Sequence, residues 1–370
     1  MHAVAIALFA LALGLVGLGG IQRGDELITS SPYAPRQFLW GMLALGTAAV
    51  TAFIPWVRLK QVGYPAYLAT ILLLLAVFLF PPRNGSRRWI PLGPLSIQPS
   101  ELAKVAYILA LGQYLMFRRN HRTVYGLIPP FLMTVIPVLL ILREPDLGTS
   151  LLFFPVLFAM LFVAGAKSRH LLATALAGIA ILPVLWQVMS AEQQSRVTAV
   201  FLQRDDGQPD TGDGYHLHQS KQMLALGGTW GSDVAGMPVS DPAAYRLPAS
   251  RTDFVFCLVG ERWGLAGTLG TIAIAAGLIL TGLAAGSRTR DPYARLVAIG
   301  ITTMFATQVM INTAMTVGLA PITGLTLPFM SYGGSSLVTT SLGLGLLISI
   351  ARDPGFDVTG QPFRFAGTSA

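Results

Sequence analysis

The chain has 370 residues, 53% hydrophobic and only 11% charged, with a mean hydropathy of +0.61. A soluble domain carries roughly 25% charged residues, so this composition argues against an ordinary soluble enzyme and for a membrane protein. The net charge of +8 does not imply nucleic acid, because the basic residues sit mostly in short segments between apolar runs, where they set topology and meet membrane lipids.

Apolar stretches long enough to cross a hydrocarbon core of about 30 Å recur ten times. They fall near 3–20, 38–57, 62–81, 101–117, 127–142, 147–165, 170–189, 254–286, 295–317 and 335–351. The first is longer than a signal-peptide core and lacks a basic leader, so it is expected to be retained. Arg58 and Lys60, then Arg118, Arg119 and Arg122, then Lys167 and Arg169, then Arg288, Arg290 and Arg295 fill the even-numbered connections. The positive-inside rule places those connections, and with them both termini, in the cytoplasm. The expectation is an all-α polytopic membrane protein with a single transmembrane domain over 1–353 and a short polar tail over 354–370. A large extracytoplasmic loop, 190–252, separates the seventh and eighth spans.

One outer connection breaks the charge rule. Residues 82–100 carry Arg83, Arg87 and Arg88 and no acid, which calls for an anionic ligand or for headgroup contact. The fourth span then opens with Gln98-Pro99-Ser100-Glu101-Leu102-Ala103-Lys104. Pro99 and Glu101 suit a first helical turn. Lys104, at i+3 from Glu101, is harder to explain as a cap and fits a polar cavity better than lipid.

The fifth and sixth spans are divided only by Arg143-Glu144-Pro145-Asp146, a tight polar turn or one bent unit. Asp146 reads as a cap or an ion-pair partner in preference to a catalytic acid. In the long outer segment, 203–213 reads as exposed loop and 215–226 as a short amphipathic helix stopped by Gly227-Gly228. His216 and His218 have no clear third ligand, which argues against a metal site there. The single cysteine, Cys257, rules out an intrachain disulfide.

The eighth apolar run is long enough to pass one interface or to tilt. Asp253 stands at its start, and Glu261 and Arg262 lie inside it. Ionisable groups inside a span cost about 2.5–3.5 kcal/mol each on insertion scales and mark functional positions by default. Asp253 is therefore the leading candidate, while Glu261 and Arg262 read as a buried supporting network. Gln308 and Asn312, at i and i+4, are expected to face the bundle interior. Residues 318–336 carry two prolines and several glycines in an apolar context, the pattern of irregular backbone lining a cavity. Their hydroxyls, Ser331, Ser335 and Ser336 among them, are weak phosphate-binding candidates.

Four segments together resemble one family: NGSRRWIPLGPLSIQPSELAK (84–104), REPDLGTSLLF (143–153), LPASRTDFVFCLVGERWGLAG (247–267) and GLAPITGLTLPFMSYGGSSL (318–337). They look like signatures of the SEDS proteins (shape, elongation, division and sporulation), whose members include RodA, FtsW and SpoVE. The resemblance implies a ten-span peptidoglycan glycosyltransferase that polymerises lipid II, an undecaprenyl-pyrophosphate-linked disaccharide pentapeptide, at the outer face of the bacterial cytoplasmic membrane. It implies a class B penicillin-binding protein as partner, within a larger elongation or division complex. The family's essential aspartate maps onto Asp253 in Thr252-Asp253-Phe254. Its Gln-Pro-Ser-Glu-x-x-Lys motif maps onto Gln98 to Lys104, and Gln219-Ser220-Lys221 resembles a Gln-Ser-Lys in the family's large outer loop. Arg251 departs from the usual His, Ala249-Ser250 from a more common acidic stretch, Arg262 from a second acid after Glu261, and Arg143-Glu144 from a Gln before Pro-Asp.

An inverting transfer from an α-linked pyrophosphate needs a base for the acceptor hydroxyl and positive charge for the leaving group. The assignment is Asp253, Glu101 and Lys104 at the reaction centre, with Lys104, Arg83, Arg87, Arg88 and Lys221 toward the pyrophosphate. Gln219, Ser331, Ser335 and Ser336 are further substrate contacts. A divalent cation, Mg or Mn, between Asp253, Glu101 and the pyrophosphate is the alternative, with Asp253 then a metal ligand. Thr323-Gly324 after Pro321-Ile322 looks more like the elongation type, so a RodA-like role is expected ahead of an FtsW-like one. A lipid-linked-precursor flippase and a non-catalytic scaffold are the competing classes.

Overall fold

The computed structural model describes residues 1–27, 33–82, 86–92, 95–117, 123–201, 203, 213–236 and 247–353. These are almost entirely helical. The chain begins with α1 (His2–Leu27), α2 (Ala34–Phe53), the single turn α3 (Trp56–Leu59) and α4 (Gly63–Ala76). An antiparallel pair, β1 (Ile90–Leu92) and β2 (Leu95–Ile97), with Ile90 opposite Ile97, leads into α5 (Pro99–Phe117). Then come α6 (Ile128–Arg143), α7 (Leu147–Val163) and α8 (Ser168–Val188). The shorter α9 (Ala191–Phe201), α10 (Asp213–Gly227) and α11 (Ser232–Ala235) follow, and α12 (Val255–Arg288), α13 (Pro292–Thr316) and α14 (Gly334–Arg352) close the chain.

Every expected apolar run falls on a helix. Five segments, His2–Leu27, Tyr125–Arg143, Val255–Arg288, Pro292–Thr316 and Gly334–Arg352, are long and apolar enough to cross a membrane, and Gly63–Leu79, Leu147–Val163 and Ser168–Pro183 are shorter apolar helices. The protein is a polytopic, helical membrane protein.

α5 is apolar on nearly every side and correspondingly sits at the centre, with 16 of its 19 residues buried. α13 packs against α5, α7 and α12; α1 runs along α12, and α2 along α14. α8 lies outermost, with Leu172, Leu176, Ile179 and Leu182 exposed, an arrangement that costs little where the solvent is itself apolar. At one end of the bundle Lys60 Nζ pairs with Asp291 at 2.6 Å, and Trp56 Nε1 donates to the Asp353 carbonyl at 2.9 Å. The α2–α4 connection, the α12–α13 connection and the end of α14 therefore share one end, as the charge pattern requires.

Three features depart from expectation. The eighth apolar run is neither straight nor merely tilted: it breaks at Gly264, whose φ of 65° is outside the helical region. The 227–231 turn presses into the break, and the Leu265 amide freed there donates to the Gly228 carbonyl at 3.0 Å. The outer segment holds α9 as well as the expected helix near 215–226. The signal was legible: Ser190 and Gln193 exchange bonds at 3.1 and 3.3 Å, a capping box. Finally, the basic connection is partly folded as the β1–β2 hairpin. Most of the expected 203–213 loop and the whole tail lie outside the described residues.

Candidate functional site around Asp253

Asp253 occupies the turn that starts α12. The Ala249 carbonyl accepts from the amides of Thr252, Asp253 and Phe254 at 3.1, 3.0 and 3.3 Å, and Ala249 itself is held at φ 53°. Across the turn, Asn312 Nδ2 donates to the Asp253 carbonyl at 2.8 Å and to the Leu325 carbonyl at 2.6 Å. One amide on α13 thus fixes the irregular 318–333 segment against the aspartate. Gly324, at φ 70°, faces the carboxylate so closely that a β-carbon there would lie 3.7 Å from Oδ2. Glycine both permits that backbone and leaves the space over Asp253 open.

The half-buried carboxyl stands at the focus of several charges. Burial pushes it up to about 6; the Thr252 hydrogen bond, Arg196 and Arg88 oppose that rise, and Asp146 adds to it. Asp253 is consequently a base whose affinity for a proton lies close to neutrality.

Asp146 comes from the turn between α6 and α7. It caps α7, accepting from the Thr149 amide at 3.1 Å and the Thr149 hydroxyl at 3.0 Å, as the cap reading anticipated. It also accepts from Gln98 Nε2 at 3.2 Å, and the Gln98 amide donates to Ser335 Oγ at 3.2 Å. The turn is held from outside by Arg88, whose Nε donates to the Glu144 carbonyl at 2.7 Å and whose terminal nitrogen donates to the Pro145 carbonyl. Arg88 is therefore engaged with backbone rather than waiting for an anion. Arg87 is exposed and donates to the Phe78 carbonyl at 3.0 Å, and Arg83 lies outside the described residues.

Lys104 and Glu101 form a buried pair at 2.8 Å, each side chain 6% exposed or less. The Glu101 carboxylate turns to Lys104, and its Oε2, like the neighbouring Ser100 hydroxyl, has no partner among the described residues. No described contact joins this pair to Asp253. The Glu101 amide donates to the Gln98 carbonyl at 3.1 Å, and Gln98 reaches Asp146, whose charge acts on Asp253.

The remaining candidates separate clearly. Ser335 meets Gln98, and Ser336 Oγ lies 2.7 Å from Thr326 Oγ1, so both line this end of the bundle. Ser331 is buried and accepts from the Leu327 amide at 2.8 Å, stabilising its own turn. Lys221 donates to Gln203 at 2.7 Å, and Gln203 in turn donates to the Gly318 carbonyl at 2.8 Å, so Lys221 braces the irregular segment. Gln219 Oε1 is buried with no partner among the described residues.

Glu261 and Arg262 support α12. Arg23 of α1 holds Glu261 through two bonds of 2.8 and 3.0 Å, while Arg262 meets Asp233 at 2.9 Å and the Gly19 carbonyl at 2.7 Å. Arg251 faces away from Asp253, to Asp25 at 3.0 Å and the Gly24 carbonyl at 2.9 Å. Among the described residues no three His, Cys, Asp or Glu side chains gather in a metal-binding group. A separate cavity of about 370 Å³ between α1, α2 and α14 is lined almost wholly by apolar groups and includes none of the candidate residues.

Sequence reading named Asp146 as a cap and missed the roles of Gln98, Arg196 and the partner Arg23. Only Asp146 announced itself, as an acid at a tight turn; the others are ordinary polar residues until the fold assembles them.

The comparisons bear on the whole chain. The model of the family described as cell cycle proteins, FtsW/RodA/SpoVE, matches residues 2–354. A probable peptidoglycan glycosyltransferase FtsW of Aeromonas salmonicida is 33% identical, with 94% of this chain and 88% of the relative covered. The stage V sporulation protein E of Bacillus subtilis is 32% identical, with 94% and 96% covered. Among solved structures, the rod shape determining protein RodA of Thermus thermophilus matches with a TM-score of 0.70 and 30% identity over 95% of this chain and 97% of that one. A chain from a study of polymerization and crosslinking by a peptidoglycan synthase complex matches with a TM-score of 0.80 and 31% identity over 94% and 97%. Sequence, fold and the four motif segments agree: the chain belongs to the FtsW/RodA/SpoVE family, the SEDS proteins.

Proposed function

We propose that this protein is a peptidoglycan glycosyltransferase that polymerises lipid II at the outer face of the bacterial cytoplasmic membrane, with Asp253 as the general base. The observation that carries the reading is the aspartate itself. It is partly accessible, held by Asn312 of α13 and faced by Gly324, raised to a proton affinity near neutrality, and not ion-paired to a cation among the described residues. It would take the proton of the acceptor hydroxyl as that oxygen attacks the anomeric carbon and the lipid pyrophosphate leaves from the opposite face. Arg88 and Lys104 supply the positive potential on this side, Lys104 from within its pair with Glu101. Gln98, Ser335 and Ser336 are further polar groups at this end of the bundle.

The topology supports the same reading. The expected apolar runs lie on helices, five of them long and apolar enough to cross a membrane. The end carrying Asp253 is opposite the one carrying Lys60, Asp291 and Asp353, and the basic connections at that second end support an outward-facing site by the positive-inside rule.

Of the two carboxylates expected to hold a divalent cation, Mg or Mn, Asp253 is open, while Glu101 gives one oxygen to Lys104 and no described contact brings it to Asp253. A cation in the reaction would therefore be carried mainly by pyrophosphate oxygens, and chelation followed by readdition of either metal measures its share. The likeness to a peptidoglycan synthase complex supports a class B penicillin-binding protein as partner. Relatives named FtsW and SpoVE stand beside RodA structures, so the comparisons do not separate the two roles, and the elongation reading is carried by Thr323-Gly324 after Pro321-Ile322. Complementation of conditional elongation and division mutants separates the two roles.

A flippase would need a polar path to the other face. Below Lys104 the core is Val105, Ile108, Leu111, Phe153, Leu157 and Met160, all buried, which supports the enzyme. Purified protein in lipid nanodiscs, given lipid II and the partner, is expected to yield glycan polymer. Transbilayer movement of lipid II in proteoliposomes without polymer would favour the flippase, and neither activity would favour a scaffold.

A further inference from the structure

Glu144 is a buried carboxylate near the site that the proposed mechanism leaves unused. It follows the last residue of α6, is 0% exposed, and neither carboxyl oxygen has a hydrogen-bond partner among the described residues. The cation beside it, Arg88, directs its donors to the backbone carbonyls of Glu144 and Pro145 rather than to the carboxyl. Two residues on stands Asp146, which caps α7 and accepts from Gln98. A carboxylate that is fully buried, without a described hydrogen-bond partner and beside another acid is far costlier as an anion than as a neutral acid.

We propose that Glu144 is a positioning residue that works as a neutral carboxylic acid, and that its ionisation disorders the α6–α7 turn and so sets an alkaline limit on the Asp253 site. The charged groups facing it are Arg88 from the segment before β1 and Asp146 from its own turn. Arg88 and Asp146 also act on Asp253, whereas Arg143 is exposed. Burial first, then Asp146, pushes the Glu144 carboxyl up to about 8, against the pull of Arg88. Ionisation would place a second negative charge against Asp146, weakening the cap of α7 and the Gln98 link to Ser335, and disturbing the charge that Asp146 presents to Asp253.

The activity arm of the test rests on the polymerase reading, and the spectroscopic arm does not. In infrared difference spectra of the whole protein in nanodiscs, wild type minus E144Q should contain the carbonyl stretch of a protonated carboxyl at neutral pH. That band should disappear with a midpoint near pH 8. D146N, which removes the neighbouring charge, should move the midpoint to lower pH. In lipid II polymerisation, wild-type rate should fall about tenfold per pH unit above the same midpoint, and E144Q should lack that limb. Absence of the band at neutral pH, or an unmoved midpoint in D146N, overturns the protonation state. An E144Q profile that falls with the wild type overturns the positioning role. If no polymer forms at any pH, the polymerase reading fails while the band still decides whether Glu144 is neutral.

Discussion

Asp253 combines two properties that pull against each other: it is accessible enough to meet a substrate and desolvated enough to hold a proton more tightly than a free aspartate. The native state raises its pKa from 3.8 to about 6, so the folded protein binds the proton better than the unfolded chain. The stability this contributes is complete below about pH 3.8 and is lost as pH rises through about 6. At pH 7 the ionised residue is a net cost, and Asp253→Asn should raise stability by about 1–3 kcal/mol, read as a higher Tm in nanodiscs. The activity runs the other way. A base must be ionised, so the polymerisation rate should fall about tenfold per pH unit below about 6. Asn312 deserves a parallel test: Asn312→Ala strands the carbonyls of Asp253 and Leu325 and should lower kcat about tenfold or more, since the aspartate is no longer held against the 318–333 segment. These roles were unequally legible in sequence. An acid at the edge of an apolar run reports its own cost, whereas Gln98 and Arg196 cost nothing where the sequence puts them and acquire meaning only from their neighbours.

Among the helices, α12 concentrates the structural risk. Its Glu261 is fully buried and held by Arg23 of α1. Arg23→Met leaves that carboxylate uncompensated and should destabilise by about 3–5 kcal/mol, whereas Arg23→Met combined with Glu261→Met should recover most of the loss, since an apolar pair of similar volume is tolerated. Thermal unfolding of the single and double variants measures the difference. Gly264 is the second weak point. A β-carbon there would lie 2.6 Å from the Thr229 carbonyl oxygen, on a backbone at φ 65°, so Gly264→Ala should cost upwards of about 1–3 kcal/mol and loosen the 227–231 turn. The helices were legible because apolar runs of this length are distinctive. The break within α12 was not, since Gly264 is one of many glycines and only the inserted turn gives it a purpose. The failure to read α9 has a narrower cause: attention to hydropathy passes over a Ser-x-x-Gln cap in a polar segment.

At the scale of the molecule, two ends of one helical bundle carry different chemistry. One gathers Lys60, Asp291 and the end of α14; the other gathers Asp253, Asp146, Arg88, Gln98 and the irregular 318–333 segment, with an apolar core between them. Charge asymmetry between connections was enough to anticipate that division. It also flagged the 82–100 connection, although Arg88 proves to serve by gripping the α6–α7 turn. The central claim, that Asp253 is the base of a lipid II polymerase, is tested most directly by the rate of glycan formation from purified lipid II by Asp253→Asn beside the wild type. Both should be in nanodiscs with the partner protein and checked for equal folding. The rate is expected to fall by about 10³-fold or more with Tm preserved or raised; a variant that polymerises at the wild-type rate would contradict it.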